Sequence, residues 1–173
     1  MEIEREVFRK DKVGLAWSFC VSPESCDNPS YYEEYIRLNA IADSASGRAV
    51  THIFVDNLND RIAGYISLRA TSLVSECEDG KYLCHPAIEI AELAVDKDYE
   101  RNGIGSSMVD FTILLADRLR VEVGIRSIVV VSDPKSVPFY VKQGFTELST
   151  VYEALYDGWN NNCIPMCVDI YDI

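Results

Sequence analysis

Apolar and polar residues alternate with a period of two in three early stretches of the chain, which predicts strands. The first lies at residues 3–9, and the second and third lie at 50–56 and 61–71. The residues between the second and third strands, Asn-Leu-Asn-Asp at 57–60, favour a turn. These two strands are therefore predicted to pair as an antiparallel hairpin, and Gly64 indicates a bulge or a close backbone approach.

Between the first strand and this hairpin, the pattern predicts helices that are interrupted by prolines. Residues 15–20 read as the start of a helical region, and Pro23 and Pro29 end it. Ser30 is then predicted to cap a helix, with Glu33 completing a capping box. This helix is expected to run to Ala45 and to end over residues 44–47.

The second half of the chain alternates strands, helices and loops. Residues 74–84 read as an acidic loop. Residues 126–131 are continuously apolar, which predicts a central strand covered on both faces. The remaining predicted elements are a strand at 87–95, a helix from Ile104 that Gly124 ends, a short helix at 133–140 closed by Gly144, a strand at 145–148, a loop at 158–162 and a last strand at 166–171. The whole chain, residues 1–173, is predicted to be one mixed α/β domain.

The stretch at residues 89–106, EIAELAVDKDYERNGIGS, carries the strongest functional signal. A strand leads through a glycine turn into a helix, so backbone N–H groups and a helix dipole point at one spot that favours phosphate oxygens. A P-loop is excluded because Ser106 stands where that motif has lysine. A dinucleotide fingerprint is excluded because Met108 stands where it has a third glycine. What remains is a diphosphate cradle that suits coenzyme A.

The net charge restricts the classes of binding partner, and the cysteine content bears on metal binding. The formal net charge is −12 and the pI is near 4.5, which argues against nucleic acid and favours amines or basic peptides. No apolar run spans a membrane and no secretory signal opens the chain, so we expect a cytoplasmic protein. Six cysteines without a CxxC pair, and two histidines, predict reduced thiols and no metal site.

Two segments resemble the motifs of the GNAT N-acetyltransferase superfamily. AVDKDYERNGIGSSMV resembles its Q/R-x-x-G-x-G/A signature for acetyl-CoA, and VSDPKSVPFYVKQGF resembles its second motif, N-x-x-A-x-x-F-Y-x-x-x-G-F. Glu100 stands where the signature prefers glutamine or arginine, and Asp133 stands where asparagine is usual. The resemblance implies the GNAT acyl-CoA N-acyltransferase fold, an α/β (α+β) domain whose mixed, mostly antiparallel sheet is flanked by helices.

By this resemblance, acetyl-CoA is the cosubstrate and no metal is needed. The backbone of Leu93, Ala94 and Val95 would pair with the pantetheine arm. The implied residues around the pyrophosphate are Arg101, Asn102, Gly103, Ile104, Gly105 and Ser106, with Asp133 from the second motif. Tyr140 matches the tyrosine that protonates the leaving thiolate; the alternative is that it only packs beside Phe139.

Two glutamates are candidates for the base that deprotonates the amine. Glu89 aligns with the glutamate base of the histone-acetylating branch, and Glu92 lies where other members carry a carboxylate. Strict alternation places them on opposite faces of the strand, unless a bulge turns Glu92 inward. The alternative is that both carboxylates are merely solvated.

A narrower resemblance points to the branch of aminoacyl-tRNA-acetylating toxins. It rests on Cys26-Asp27-Asn28, on GYISL at 64–68 and on Leu93-Ala94-Val95-Asp96, whereas Glu92 replaces the arginine of that branch. Because the chain is strongly acidic, we expect a small or peptidic primary amine as acceptor and no nucleic acid, with the toxin role as an alternative. A non-catalytic acyl-CoA sensor is a further alternative, and a homodimer is common among such enzymes.

Overall fold

A computed structural model describes residues 2–148 and 162–172. A mixed, mostly antiparallel seven-stranded sheet is flanked by helices, with the strand order β1-β2-β3-β4-β5-β7-β6. The elements are β1 (Ile3–Val7), α1 (Val13–Ala16), α2 (Pro29–Glu34), α3 (Ala40–Ala45), β2 (Val50–Asp56), β3 (Arg61–Glu76), β4 (Tyr82–Val95), α4 (Ile104–Arg120), β5 (Ser127–Ser132), α5 (Val137–Lys142), β6 (Thr146–Glu147) and β7 (Ile164–Asp169). The predicted fold class is confirmed.

The chain forms two compact units, with β3, β4 and α4 each contributing to both. The first unit contains the chain up to Arg69 together with Ile90–Val109. The second contains Ala70–Glu89 together with the chain from Asp110. The single-domain organisation expected from the sequence stays a prediction.

In the first unit, β2 pairs antiparallel with both β1 and β3, as the hairpin pattern predicts. The ring of Tyr65 lies at the centre of the core, stacked on Tyr35 at 6.1 Å and edge-on to Phe19 at 5.4 Å. Since Tyr65 is fully buried, its hydroxyl needs a partner, and it donates to the carbonyl of Tyr32 at 2.9 Å.

Gly64 has both features that its position in the pattern indicated. The register shifts at this point, because Phe54 faces Gly64 whereas Val55 faces Ile62. A Cβ at Gly64 would lie 3.0 Å from Ile104 Cγ2 and 3.1 Å from the Ala94 carbonyl oxygen. The missing side chain therefore lets β3 approach both the end of β4 and the first residue of α4.

In the second unit, β5 pairs antiparallel with β7, and β7 pairs with β6. Five of the six β5 residues are buried, as expected of a strand covered on both faces. A small apolar core contains Leu73, Ala87 and Val129, against which Leu148 and Cys167 pack. Of the loop predicted at 158–162, residues 158–161 lie outside the described residues.

The predicted acidic loop at 74–84 is wrong. β3 continues to Glu76 and β4 already starts at Tyr82, so only residues 77–81 connect them. The Cys77 amide donates to the Lys81 carbonyl at 2.7 Å, and Gly80 has a positive φ of 76°. The glycine turn and the hydrogen bonds between the strands thus extend the hairpin through residues whose polar composition predicted a loop.

Two helix predictions near the N-terminus are also wrong. The first helix ends at Ala16 instead of running from residue 15 to 20, and the Arg37 guanidinium donates to the Ala16 and Phe19 carbonyls that follow from this early end. The capping box fails because Glu33 accepts from the Val21 amide at 3.0 Å. The next helix begins instead with Pro29, whose fixed φ suits a first helical position.

That helix does not continue unbroken to Ala45. A π-helical turn at Tyr35–Asn39 separates α2 from α3, and Gly47, with φ 72°, follows the end of α3 as predicted. Among the described residues, no helix is long and apolar enough to cross a membrane. The same residues contain no group of three or more His, Cys, Asp or Glu side chains placed to hold a metal ion.

Candidate active site

The connection between β4 and α4 has the geometry of an anion cradle. Arg101 and Gly103 both adopt left-handed backbone, with φ 61° and 79°, directly before a 17-residue helix begins at Ile104. Left-handed residues alternating with other conformations turn successive N–H groups towards one point, to which the helix N-terminus adds its dipole. Arg101 and Gly103 are exposed, and nothing lies within 4 Å of a Cβ built on Gly103. A phosphate ligand therefore has access to the loop.

Two side chains of this loop form hydrogen bonds that stabilise its conformation. The Asn102 amide donates to the carbonyls of Tyr99 at 3.3 Å and Glu100 at 3.0 Å. The Glu100 carboxylate accepts from the Ser25 hydroxyl at 2.8 Å. Glu100, which departs from the family signature, thus contacts another loop, and Asn102 hydrogen-bonds to the backbone of its own loop.

Asp96, the last residue before the cradle, anchors it from inside the protein. Its carboxylate is fully buried and accepts from the backbone amides of Cys20 and Asp98, each at 3.0 Å. It also accepts from Arg61 Nη2 at 3.1 Å. Because a buried carboxylate with three donors fixes its neighbours, Asp96 defines where β4 stops and the loop turns. The sequence analysis used Asp96 in the resemblance at Leu93-Ala94-Val95-Asp96 and gave it no structural role.

We expect Asp96→Asn to lower the free energy of unfolding by about 1–3 kcal/mol, because an amide cannot accept from all three donors and loses the charge. Denaturant unfolding measures this loss. The matched control is Asp98→Asn, whose half-exposed carboxylate pairs with the same Arg61 and whose loss should stay below about 1 kcal/mol. Equal losses in the two variants would contradict the anchoring role.

Glu92, on the same strand, is held by a residue that sequence reasoning missed. The Tyr31 hydroxyl donates to Glu92 Oε1 at 2.6 Å. Burial, together with this hydrogen bond, raises the pKa of Tyr31, so the phenol stays a donor. The sequence signal that could have found Tyr31 is the tyrosine pair at 31–32, which follows Asn-Pro in the first turn of a helix. This pattern indicates a helix that covers the sheet, but it does not indicate which strand the tyrosines contact.

Glu89 lies in the second unit and is buried, with 5% of its surface exposed. It lines a small groove, partly open to solvent, together with Leu73, residues 129–131, Leu148 and Pro165. The alternative of a solvated carboxylate is therefore wrong for Glu89, whereas Glu92 is half-buried and hydrogen-bonded to Tyr31.

The second motif places Tyr140 and Asp133 in this unit as well. The Tyr140 ring is buried edge-on between Phe139, at 5.0 Å, and Phe145, at 5.4 Å. This packing fixes the ring whether or not its hydroxyl acts in catalysis. Asp133 is buried and accepts from the Lys135 amide at 2.9 Å, so it caps the short 3₁₀ turn before α5. Of the predicted site residues, Glu92, residues 93–95 and residues 101–106 thus belong to one unit, and Glu89, Asp133 and Tyr140 belong to the other.

The profile described as acetyltransferase (GNAT) family matches residues 13–145, more than half of the chain. The chain belongs to the GNAT acetyltransferase family. The resemblance found in the two motifs is confirmed, and so is the prediction of an N-acetyltransferase. GNAT enzymes use acetyl-CoA as cosubstrate, and the exposed, left-handed loop before α4 fits its pyrophosphate.

Solved structures of GNAT toxins share this fold over nearly the whole chain. A tyrosine-to-phenylalanine mutant of the toxin AtaT superposes with a TM-score of 0.78 at 15% identity, covering 98% of this chain and 90% of that one. A mutant of KacT gives 0.79 at 14%, covering 99% and 97%. AtaT complexed with acetyl-methionyl-tRNAfMet gives 0.72 at 17%, covering 95% and 94%. At these identities the likeness shows the fold alone and does not identify the acceptor of this GNAT enzyme.

Proposed function

We propose that this acetyltransferase moves the acetyl group of acetyl-CoA to a primary amine of a cationic small molecule or peptide. The observation that carries the proposal is the Glu89 carboxylate, which is buried in a groove with otherwise apolar walls. An amine is protonated at neutral pH, so it needs a site that attracts a cation and then removes a proton. The net charge of −12 favours the same class of acceptor.

The cosubstrate would be held mainly by backbone. The backbone of Leu93, Ala94 and Val95 would pair with the pantetheine arm, which would lie beside it like an added strand. The pyrophosphate would lie on the N–H groups of the left-handed loop and the first turn of α4, with the Arg101 side chain adding positive charge. The residues proposed for this contact are Arg101, Asn102, Gly103, Ile104, Gly105 and Ser106, and Asp133 would act by capping the turn of the second motif.

Direct transfer needs one base and one acid. Glu89 would accept a proton from the ammonium, and the freed amine would attack the thioester carbonyl. The new N–C bond forms as the C–S bond breaks, and Tyr140 would donate its proton to the leaving thiolate. The nitrogen then loses its second proton, which would restore the Tyr140 phenol and leave a neutral amide. Glu92, held by Tyr31, would draw the ammonium to the site without taking the proton.

Aminoacyl-tRNA is the second candidate acceptor. The specific observation in its favour is the likeness to AtaT, one structure of which holds acetyl-methionyl-tRNAfMet, together with the motif resemblance at residues 64–68 and 93–96. Against it stands the excess of 12 negative charges, because binding to a phosphate backbone needs clustered lysine and arginine. We therefore rank it below a small or peptidic amine.

Thiol release from acetyl-CoA tests both candidates. The purified chain is assayed with polyamines, aminoglycosides, amino acid amides, lysine peptides and charged tRNA, and mass spectrometry identifies the acetylated product. We expect turnover with a member of the small-molecule or peptide arms. Turnover on charged tRNA alone replaces the proposal with the toxin-type activity. Binding of acetyl-CoA without turnover in any arm identifies a sensor.

A further inference from the structure

The loop before α4 contains a residue in an unfavourable backbone conformation. Arg101 has φ 61°, and a residue with a side chain rarely adopts this left-handed region. Such a conformation persists where the surrounding contacts hold the backbone in place. A 3₁₀ turn at Lys97–Tyr99 directly precedes the loop. The contacts that fix this turn therefore bear on the conformation of the cradle.

Tyr99, the last residue of the 3₁₀ turn, is tied to the end of β2. Its side chain is buried, and its hydroxyl donates to Asp56 Oδ2 at 3.0 Å. Asp56 has only 1% of its surface exposed, and it also accepts from the Leu58 amide at 3.2 Å and from the Asn59 side chain at 2.7 Å. Burial, together with the hydrogen bond to Asp56, raises the pKa of Tyr99, so the hydroxyl remains a donor. The phenol is thus bound to a carboxylate that the β2–β3 turn holds in place.

Backbone and ring contacts connect Tyr99 to the cradle. The Tyr99 amide donates to the Asp96 carbonyl at 2.8 Å, and the Tyr99 carbonyl accepts from the Asn102 side chain at 3.3 Å. Arg61 lies over the Tyr99 ring, with its Cζ 5.4 Å from the ring centroid, and it pairs with Asp96. All these residues belong to the first unit. Tyr99 is therefore joined on one side to β2 and on the other side to the loop before α4.

We propose that Tyr99 is a positioning residue for acetyl-CoA. Its hydrogen bond to Asp56 keeps the loop before α4 in the conformation that presents N–H groups to the pyrophosphate. Without this hydrogen bond, a fraction of the molecules leaves that conformation, and the apparent affinity for the cosubstrate falls accordingly. The inference rests on the proposed placement of the pyrophosphate at residues 101–106 and adds a residue outside that set.

Tyr99→Phe tests this role, since it removes only the hydroxyl and keeps the ring under Arg61. Tyr35→Phe is the matched control, because the Tyr35 hydroxyl also donates to a carboxylate, Asp43 Oδ2 at 3.2 Å, in the same unit. Calorimetry measures the Kd of CoA for each variant. We expect Tyr99→Phe to raise this Kd by about fivefold or more and Tyr35→Phe to change it by less than about twofold.

Amide chemical shifts provide a readout that a general loss of stability does not move. In the ¹H–¹⁵N spectrum of the free protein, Tyr99→Phe should shift the amides of residues 101–106, and Tyr35→Phe should leave them in place. CoA added to the unmodified chain should shift the same amides. Asp56→Asn weakens the same hydrogen bond from the acceptor side and should also raise the Kd of CoA, so it provides the test if Tyr99→Phe does not fold.

The outcomes separate this inference from the proposed placement of the cosubstrate. CoA-induced shifts at residues 101–106, with an unchanged Kd in Tyr99→Phe and Asp56→Asn, keep the placement and overturn the positioning role. An equal rise of the Kd in Tyr35→Phe also overturns it, because any loosening of the unit would then have the same effect. CoA binding that leaves the amides of residues 101–106 unmoved overturns both. None of these measurements needs an acceptor, so they do not depend on which amine is acetylated.

Discussion

Replacement of Glu89 by glutamine is expected to lower kcat by about 10²–10⁴-fold, the usual contribution of a general base. Glutamine keeps the size of the side chain and its place among Leu73 and Val129, but it cannot accept a proton. The fold should therefore persist while the amine stays protonated. Steady-state kinetics with the acceptor found in the amine panel measure the loss, and circular dichroism checks the fold.

Glu92→Gln provides the comparison. Because Glu92 is proposed to attract the ammonium and not to take its proton, this variant should raise KM by about fivefold to tenfold and change kcat little. Tyr31→Phe removes the donor that holds Glu92 and should produce a smaller change of the same kind. A larger loss of kcat in Glu92→Gln than in Glu89→Gln would exchange the two roles.

Tyr140→Phe is expected to lower kcat by a similar factor, about 10²-fold or more, because the leaving thiolate loses its proton donor. The substitution removes one oxygen and leaves the ring between Phe139 and Phe145, so the thermal midpoint should change little. Release of CoA in a single turnover measures the chemical step without product release.

Tyr82→Phe is the matched control for Tyr140→Phe, because it removes the same hydroxyl from a side chain that is 66% exposed. It should keep the full rate. An unchanged rate in Tyr140→Phe would show instead that the tyrosine only packs. A large loss of stability in Tyr140→Phe, with a normal rate per folded molecule, would also show that the tyrosine only packs.

The conformation of the residues proposed to bind the cosubstrate was predictable because it depends on neighbouring residues. Gly103 adopts φ 79°, which an amino acid with a side chain rarely does, so the glycine itself predicts the turn. The same holds for Gly64, whose position inside an alternating strand indicated the close approach that is observed. The continuous run of valines at β5 likewise predicted a strand buried on both faces.

The predictions that failed concern side chains whose partners are distant in sequence. Glu33 was expected to cap its own helix, but it accepts from Val21. Arg37 donates to the carbonyl of Ala16, the last residue of the first helix, although it lies 21 residues further along the chain. Polar groups of these types have several possible partners, and only the folded chain decides which one is within hydrogen-bonding distance.

The sequence by itself determined the family, the glycine turn that is proposed to hold acetyl-CoA and most of the strands, because backbone conformation and hydrophobic period are properties of neighbouring residues. The tertiary structure decided the surroundings of the two candidate bases, enclosing Glu89 in an apolar groove and joining Glu92 to Tyr31. It also showed Asp96 as the buried anchor of the cradle. A carboxylate's role depends on burial and on donors brought from elsewhere in the chain, and neither is encoded at its own position.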